Sequence, residues 1–175
     1  MSPAQLMVLC AEELRAHEFE ETAMETLARA LAWYRAQPAD AMLDRSRRLD
    51  VAWAFYYARE WQAAEAIIRS LVEEDPDNFV YLGFLGTVAA RRGDQATARQ
   101  ILARFDTLRT TLPMPHTSVG YWQSKISVLL GDEERALTLL AESIGPQGRQ
   151  GFHAEFEFER IWKTKAFRDF IRPKG

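Results

Sequence analysis

Three stretches of this chain follow one pattern: EWQAAEAIIRSLVEEDP at 60–76, RRGDQATARQILARF at 91–105 and LLGDEERALTLLAES at 129–143. In each, an alanine just after a turn opens an amphipathic helix, with 34 residues from Ala64 to Ala98 and 38 from Ala98 to Ala136. A period near 34 with small residues at the close contacts is the mark of stacked helical hairpins. Such an array is expected to bind something rather than transform it.

Outward from these stretches, apolar residues keep helical spacing and no segment carries the Val/Ile/Thr alternation of a strand, so the chain reads as essentially all-α. The first predicted helix covers 3–17, with Pro3 in its first turn, where a missing donor is harmless. The second covers 19–37, burying Met24, Leu27, Leu31 and Tyr34 and stopping at Pro38. Helices at 42–58 and 61–74 follow, then 78–92 and 95–110, turned by Gly93 for the left-handed end and Asp94 for the next cap. LPMPHTS at 112–118 is a predicted loop. The last pair covers 117–130 and 133–144, turning at Gly131–Asp132, and GPQGRQG at 145–151 reads as a flexible end to the array. The tail from His153 carries Phe156, Ile161, Trp162, Phe167 and Phe170, too many large apolar groups for solvent. Two short helices lying back on the last hairpin are expected as a cap over 152–172. The predicted architecture is one domain over 1–175, a right-handed superhelical α-solenoid of about four antiparallel hairpins at 3–37, 42–74, 78–110 and 117–144.

At 175 residues the chain can hold one ordinary core, and 47% hydrophobic with 27% charged residues is the balance of a globular protein. The longest uncharged stretches, such as 78–90, fall short of the ~20 residues a spanning helix needs, so no membrane segment is expected. The first residues lack the basic start and long apolar stretch of a secretory signal. A whole protein of this kind belongs in the cytoplasm; a fragment would lose that inference. Net charge is −3 with both signs interspersed, which gives no field to recruit nucleic acid. The single cysteine, Cys10, excludes an internal disulfide and reads, beside Leu6, Met7, Leu9 and Leu14, as a buried small hydrophobe.

The pattern resembles tetratricopeptide repeats. The third hairpin carries the likeness through Leu82, Leu85, Gly86, Gly93, Ala98, Leu102 and Phe105, and the second through Val51, Ala52, Phe55, Trp61, Ala64, Ile68, Leu71 and Pro76. In the fourth, Ser124 takes the small slot beside Gly131, Ala136 and Leu140; the first fits only around Ala23, Leu27 and Ala30. Small residues in these slots let neighbouring helices approach, so the likeness speaks for fold and hardly for function. The stretch 121–144 followed by 158–175 also looks like the carboxyl ends of large bacterial repeat proteins in which a regulatory, kinase or sensor module precedes the array.

The resemblance implies a concave groove lined by the first helix of each hairpin. Carried over slot by slot, it places Asp50, Trp53, Tyr56 and Tyr57, then Phe84, Thr87 and Arg91, then Tyr121, Trp122 and Lys125 on that surface. Aromatic anchors with Arg91 or Lys125 as carboxylate contacts suit a peptide or helix of a protein partner. Several of these aromatics could equally pack between hairpins or meet the chain's own tail. Trp53 and Ser46 depart from the asparagine and lysine of repeat domains that clamp chaperone tails, which speaks against that ligand.

Chemistry has little support in the sequence. His17 with Glu18 and Glu20, and His153 with Glu155 and Glu157, hold one histidine each and read as solvated charge, so no metal or cofactor is expected. Arg47 and Arg48 with Asp44 and Asp50 read as surface salt bridging at helical spacing. No GxSxG, GxxxxGK or HExxH is present. The expected function is a non-catalytic interaction module; the alternative is a regulatory or self-associating domain, including a homodimer, of a larger bacterial signalling protein.

Overall fold

The computed structural model describes residues 1–38, 40, 43–111, 116–144 and 146–172, and among them the fold is all-α, without a strand. It divides into two compact units, Met1–Pro76 and Asp77–Gly175. The first holds α1 (Pro3–Ala16), α2 (Glu20–Arg35), α3 (Arg45–Tyr57) and α4 (Trp61–Glu74). The second holds α5 (Phe79–Arg92), α6 (Gln95–Thr111), α7 (His116–Leu129), α8 (Glu133–Ser143) and, after two 3₁₀ segments at Pro146–Ala154 and Phe156–Phe158, α9 (Lys165–Ile171).

Consecutive helices pair as α1 with α2, α3 with α4, α5 with α6 and α7 with α8. The four turns inside these pairs are built from the same backbone hydrogen bonds. Phe19 N–H donates to Leu14 O at 2.8 Å, and Glu60 to Phe55, Asp94 to Ala89 and Asp132 to Ser127 each at 2.9 Å. One residue earlier, Glu18 donates to Arg15, Arg59 to Tyr56, Gly93 to Ala90 and Gly131 to Val128. This double closure is the Schellman motif, which needs a left-handed residue just past the helix. Gly93 (φ 82°) and Gly131 (φ 90°) take that conformation, and so do Glu18 (φ 67°) and Arg59 (φ 62°). A side chain in the left-handed region costs about 1–2 kcal/mol, of which glycine's extra chain entropy returns about 0.5–1. Glu18→Gly is therefore expected to stabilise the protein by about 0.5–1 kcal/mol, measured as a rise in the urea midpoint at unchanged slope.

Several helix starts are capped by side chains, whereas Phe19 before α2 and Glu60 before α4 make no such bond. Ser2 and Gln5 form a reciprocal box on α1, Asp44 Oδ1 accepts from Arg47 N–H, and Asn78 accepts from Val80 and Tyr81 N–H. Asp94 and Asp132, each following a turn glycine, accept from Thr97 and Arg135 N–H at 3.1 Å. Each bond satisfies a donor that the helix itself leaves open.

In the first unit, α1 buries Ala4, Val8, Ala11 and Arg15, one face at helical spacing. Cys10 lies off that face and is exposed, as are Leu6 and Leu9, which corrects the buried reading of the thiol. The face is chosen by small residues that allow α2 to approach, a preference that counting large apolar groups overlooks. Arg15 is 5% exposed; its Nε donates to Glu20 at 2.9 Å and its Nη2 to the Tyr57 carbonyl at 3.0 Å, satisfying an acceptor at the end of α3. Arg45 and Arg48 reach Glu74 of α4 at 2.9 and 2.7 Å, and these hydrogen bonds pull its carboxyl down to about 2. Arg48 is thus spent on α4, and Arg47 lies over the Trp33 ring at 5.5 Å, in place of the expected pairing with Asp44 and Asp50.

In the second unit α5 packs on α7. A Cβ on Gly83 would collide with the Trp122 ring, and one on Gly86 would stand 2.5 Å from Ile126 Cδ1. Both glycines are required by close approach. The expected loop at 112–118 lies outside the described residues at 112–115, and from His116 onward the chain is already α7. GPQGRQG, read as flexible, is wound from Pro146 into the first 3₁₀ segment. The tail then folds onto α7 and α8, with Phe158, Ile161 and Phe167 joining Val128, Ala136 and Leu140 in one apolar cluster.

Candidate functional site

The implied groove residues of the second unit split into a buried set and a charged set. Phe84 and Thr87 are fully buried, the Thr87 hydroxyl donating to Gly83 O at 2.8 Å, and Trp122 fills the space that Gly83 leaves. All three are core groups and present nothing to a ligand.

Arg91, Tyr121 and Lys125 point at the chain's own tail. Arg91 Nη1 donates to Glu159 Oε1 and Nη2 to Phe156 O, both at 2.6 Å, with the guanidinium 4.2 Å from the Phe156 ring centre. Lys125 Nζ lies 2.8 Å from Glu155 Oε2, 3.2 Å from Glu157 Oε2 and 4.6 Å from the centre of the Tyr121 ring. The Tyr121 hydroxyl donates to Glu155 Oε1 at 3.1 Å, and its ring meets Phe152 edge-on. Aromatic anchors and carboxylate contacts are both present on this face, and residues 152–159 supply their partners.

Burial alone would drive Lys125 toward its neutral form, but the carboxylates of Glu155 and Glu157 outweigh it and hold its pKa well above that of an ordinary lysine. Burial likewise works to raise Glu157, and the charges of Lys125 and Arg91 overcome it, leaving the carboxyl below its usual range. Tyr121 is pushed up by burial. Glu157, expected as solvated charge, is fully buried. In EFEFE at 155–159 the alternation suggests a polar side facing water; here both sides are covered, one by the apolar cluster and one by Lys125.

The first unit is different. Tyr56 is fully buried, its ring 5.2 to 5.6 Å from those of Trp61, Tyr57 and Trp53, and belongs to the core. Trp53 and Tyr57 stack at 5.7 Å with 24° between their planes and form one wall of an open cleft of about 390 Å³. Asp50, a turn away on α3, lies on the same cleft, whose opposite wall is α1 with Gln5, Leu9 and Glu12. Gln5 Nε2 donates to Asp50 Oδ2 at 2.8 Å, tying α1 to α3 at the cleft floor.

Tyr34 of α2 closes the cleft from behind. Its ring is 5% exposed, and its hydroxyl lies in hydrogen-bonding reach of the Ser2 side chain. Burial raises its pKa, the nearby Ser2 side chain opposes the rise and Asp50 adds to it. Sequence reasoning found Asp50, Trp53 and Tyr57 but missed Gln5 and Glu12 of α1, where the repeat pattern is weakest, and Tyr34 of α2, a second helix outside the resembling family's groove. Tyr34 was legible only as a core residue at helical spacing. No family model, no curated protein and no solved structure matches the chain.

Proposed function

We propose that this chain is a non-catalytic protein-interaction module, a stack of tetratricopeptide-like hairpins that takes a segment of a partner protein in the cleft between α1 and α3. The observation that carries the reading is half-buried Trp53 on the wall of that cleft, stacked on the buried Tyr57. A rigid pair of aromatics on packed helices offers contact area at little ordering cost, which is how interface anchors gain most of their energy. On α5 and α7 the comparable groups are already engaged by the tail, so they hold structure, and a partner meets the first unit instead. Lys125 is paired with Glu155 and Glu157 inside the second unit, an arrangement that suits packing better than proton transfer.

Panning a displayed random-peptide library against the full chain tests this. Enriched peptides are expected to lose at least about tenfold in affinity, some 1.4 kcal/mol, on Trp53→Ala, with far-UV circular dichroism unchanged. Peptides that bind wild type and Trp53→Ala alike would overturn the assignment of this cleft. A second reading, self-association, rests on Leu6, Leu9 and Phe19, apolar groups 54%, 47% and 59% exposed. Light scattering at two concentrations separates it, because a second copy would raise the mass without any peptide.

A further inference from the structure

Along α6, Arg99, Ala103 and Asp106 share one face at helical spacing and form a wall of a cleft of about 360 Å³. The facing wall is Ser127 near the end of α7 and, across the turn, Asp132 and Arg135 at the start of α8. All of it lies in the second unit. We infer that this cleft binds a carboxylate carried on a small apolar body, held by the Arg99 guanidinium and the Ser127 hydroxyl. The inference goes beyond the interaction-module reading, which concerns the first unit, and stands without it.

The chemistry follows from what the internal pairs leave open. Asp106 is engaged by three hydrogen bonds: Arg135 Nη2 donates to its Oδ1 at 2.9 Å and its Oδ2 at 3.1 Å, and Gln123 Nε2 donates to Oδ1 at 2.6 Å. Asp132 caps α8 through Oδ1, where the positive end of the helix dipole offsets its charge. What remains is a cation. Among the described residues the Arg99 guanidinium makes no hydrogen bond or ion pair, and Arg135 spends a single nitrogen, Nη2, on Asp106.

A lone exposed arginine would mean little. Ser127 is the independent observation: it is 1% exposed, it stands on the cleft wall, and its hydroxyl is buried without a hydrogen-bond partner among the described residues. A buried O–H left unpaired carries a penalty that a ligand acceptor removes. The open groups are thus donors, and a carboxylate offers about four acceptor positions in a geometry that matches the guanidinium fork. An ammonium would meet like charge at Arg99 and Arg135. A neutral amide accepts through one oxygen and brings no charge to Arg99. Leu102 and Leu130 line the same cleft and give an aliphatic body its contact area, and a space of about 360 Å³, near the lower end for ligand sites, suits a body of a few carbons.

The test is a nitrogen-15 NMR titration of the full chain with four small probes: N-acetylalanine, which ends in a carboxylate as a protein chain does, its neutral twin N-acetylalanine amide, free butyrate and n-butylammonium. N-acetylalanine and butyrate are expected to move the Ser127 amide and Arg99 side-chain Nε resonances saturably, at least about tenfold more tightly than the amide, with no response to n-butylammonium. Tighter N-acetylalanine would mark a chain end as the source and tighter butyrate a free acid, and either supports carboxylate recognition. Arg99→Gln is expected to weaken both acids at least about fivefold. Ser127→Ala is expected to weaken them about threefold while the urea midpoint stays or rises, since it removes a hydroxyl that nothing satisfies. Equal binding of N-acetylalanine and its amide, binding of n-butylammonium, silence with both acids, or wild-type affinity in Arg99→Gln would each overturn the inference. A lowered midpoint in Ser127→Ala would overturn it too, because the hydroxyl would then be bonded within the fold.

Discussion

Deleting Phe152–Gly175 is expected to lower the melting temperature of the chain by more than about 10 °C and to make it aggregate at micromolar concentration. The segment removes four side chains exposed by 1% or less, Phe156, Phe158, Ile161 and Phe167. Each such group contributes about 1.5–3 kcal/mol by leaving water, and each leaves bare an apolar surface that it had covered. Val128, Ala136 and Leu140, now in one cluster with the tail, would face solvent as a contiguous patch on α7 and α8.

Packing is only half of the loss. The same deletion strips Lys125 of Glu155 and Glu157, and Arg91 of Glu159 and the Phe156 carbonyl. Arg91 can turn to water at the helix end, whereas Lys125 is 2% exposed and cannot without opening the packing around it. Differential scanning calorimetry with a light-scattering readout distinguishes the outcomes. A truncated chain that melted as the full chain does, and stayed monomeric, would show that the tail is an arm resting on an independently stable pair of helices.

How much of this was readable from sequence follows from the range of the interactions. The period of the hairpins is local: an alanine after a turn, a glycine for the left-handed end and an aspartate for the cap all lie within a few residues. The first hairpin matches only around Ala23, Leu27 and Ala30, and neither Glu18 nor Arg59 marks a turn as Gly93 and Gly131 do, so only the backbone bonds reveal that all four turns are the same. Tail residues were legible as a cap from their aromatics alone. Glu157 was not, since its burial depends on Lys125 in α7, an encounter that no local pattern encodes. The cleft was half legible for a similar reason. Asp50 and Trp53 share a face of α3, while Tyr34 and Gln5 arrive from α2 and α1 with no shared periodicity to announce them.

The second large effect expected is at Lys125 itself. Lys125→Met keeps most of the side-chain volume and removes the charge, leaving the Glu155 and Glu157 carboxylates buried together with Tyr121. Breaking a buried pair from one side costs about 3–5 kcal/mol, because the remaining charge has lost its counter-ion and has no water to replace it. Lys165→Met, which removes the partner of Asp169 from a lysine side chain 91% exposed, is expected to change stability by less than about 0.5 kcal/mol. Added salt separates the two further, since 1 M chloride screens exposed charges and leaves a dry cluster nearly untouched. Adding Glu157→Leu to Lys125→Met should recover part of the loss, a positive coupling in a double-mutant cycle read by urea denaturation. Equal small effects at Lys125 and Lys165 would mean that water reaches the cluster and that the tail is held by its aromatic side chains alone. A large effect at Lys125 that Glu157→Leu relieves would make Glu157 the residue that pins the tail to α7 by charge, with Phe158, Ile161 and Phe167 supplying the area.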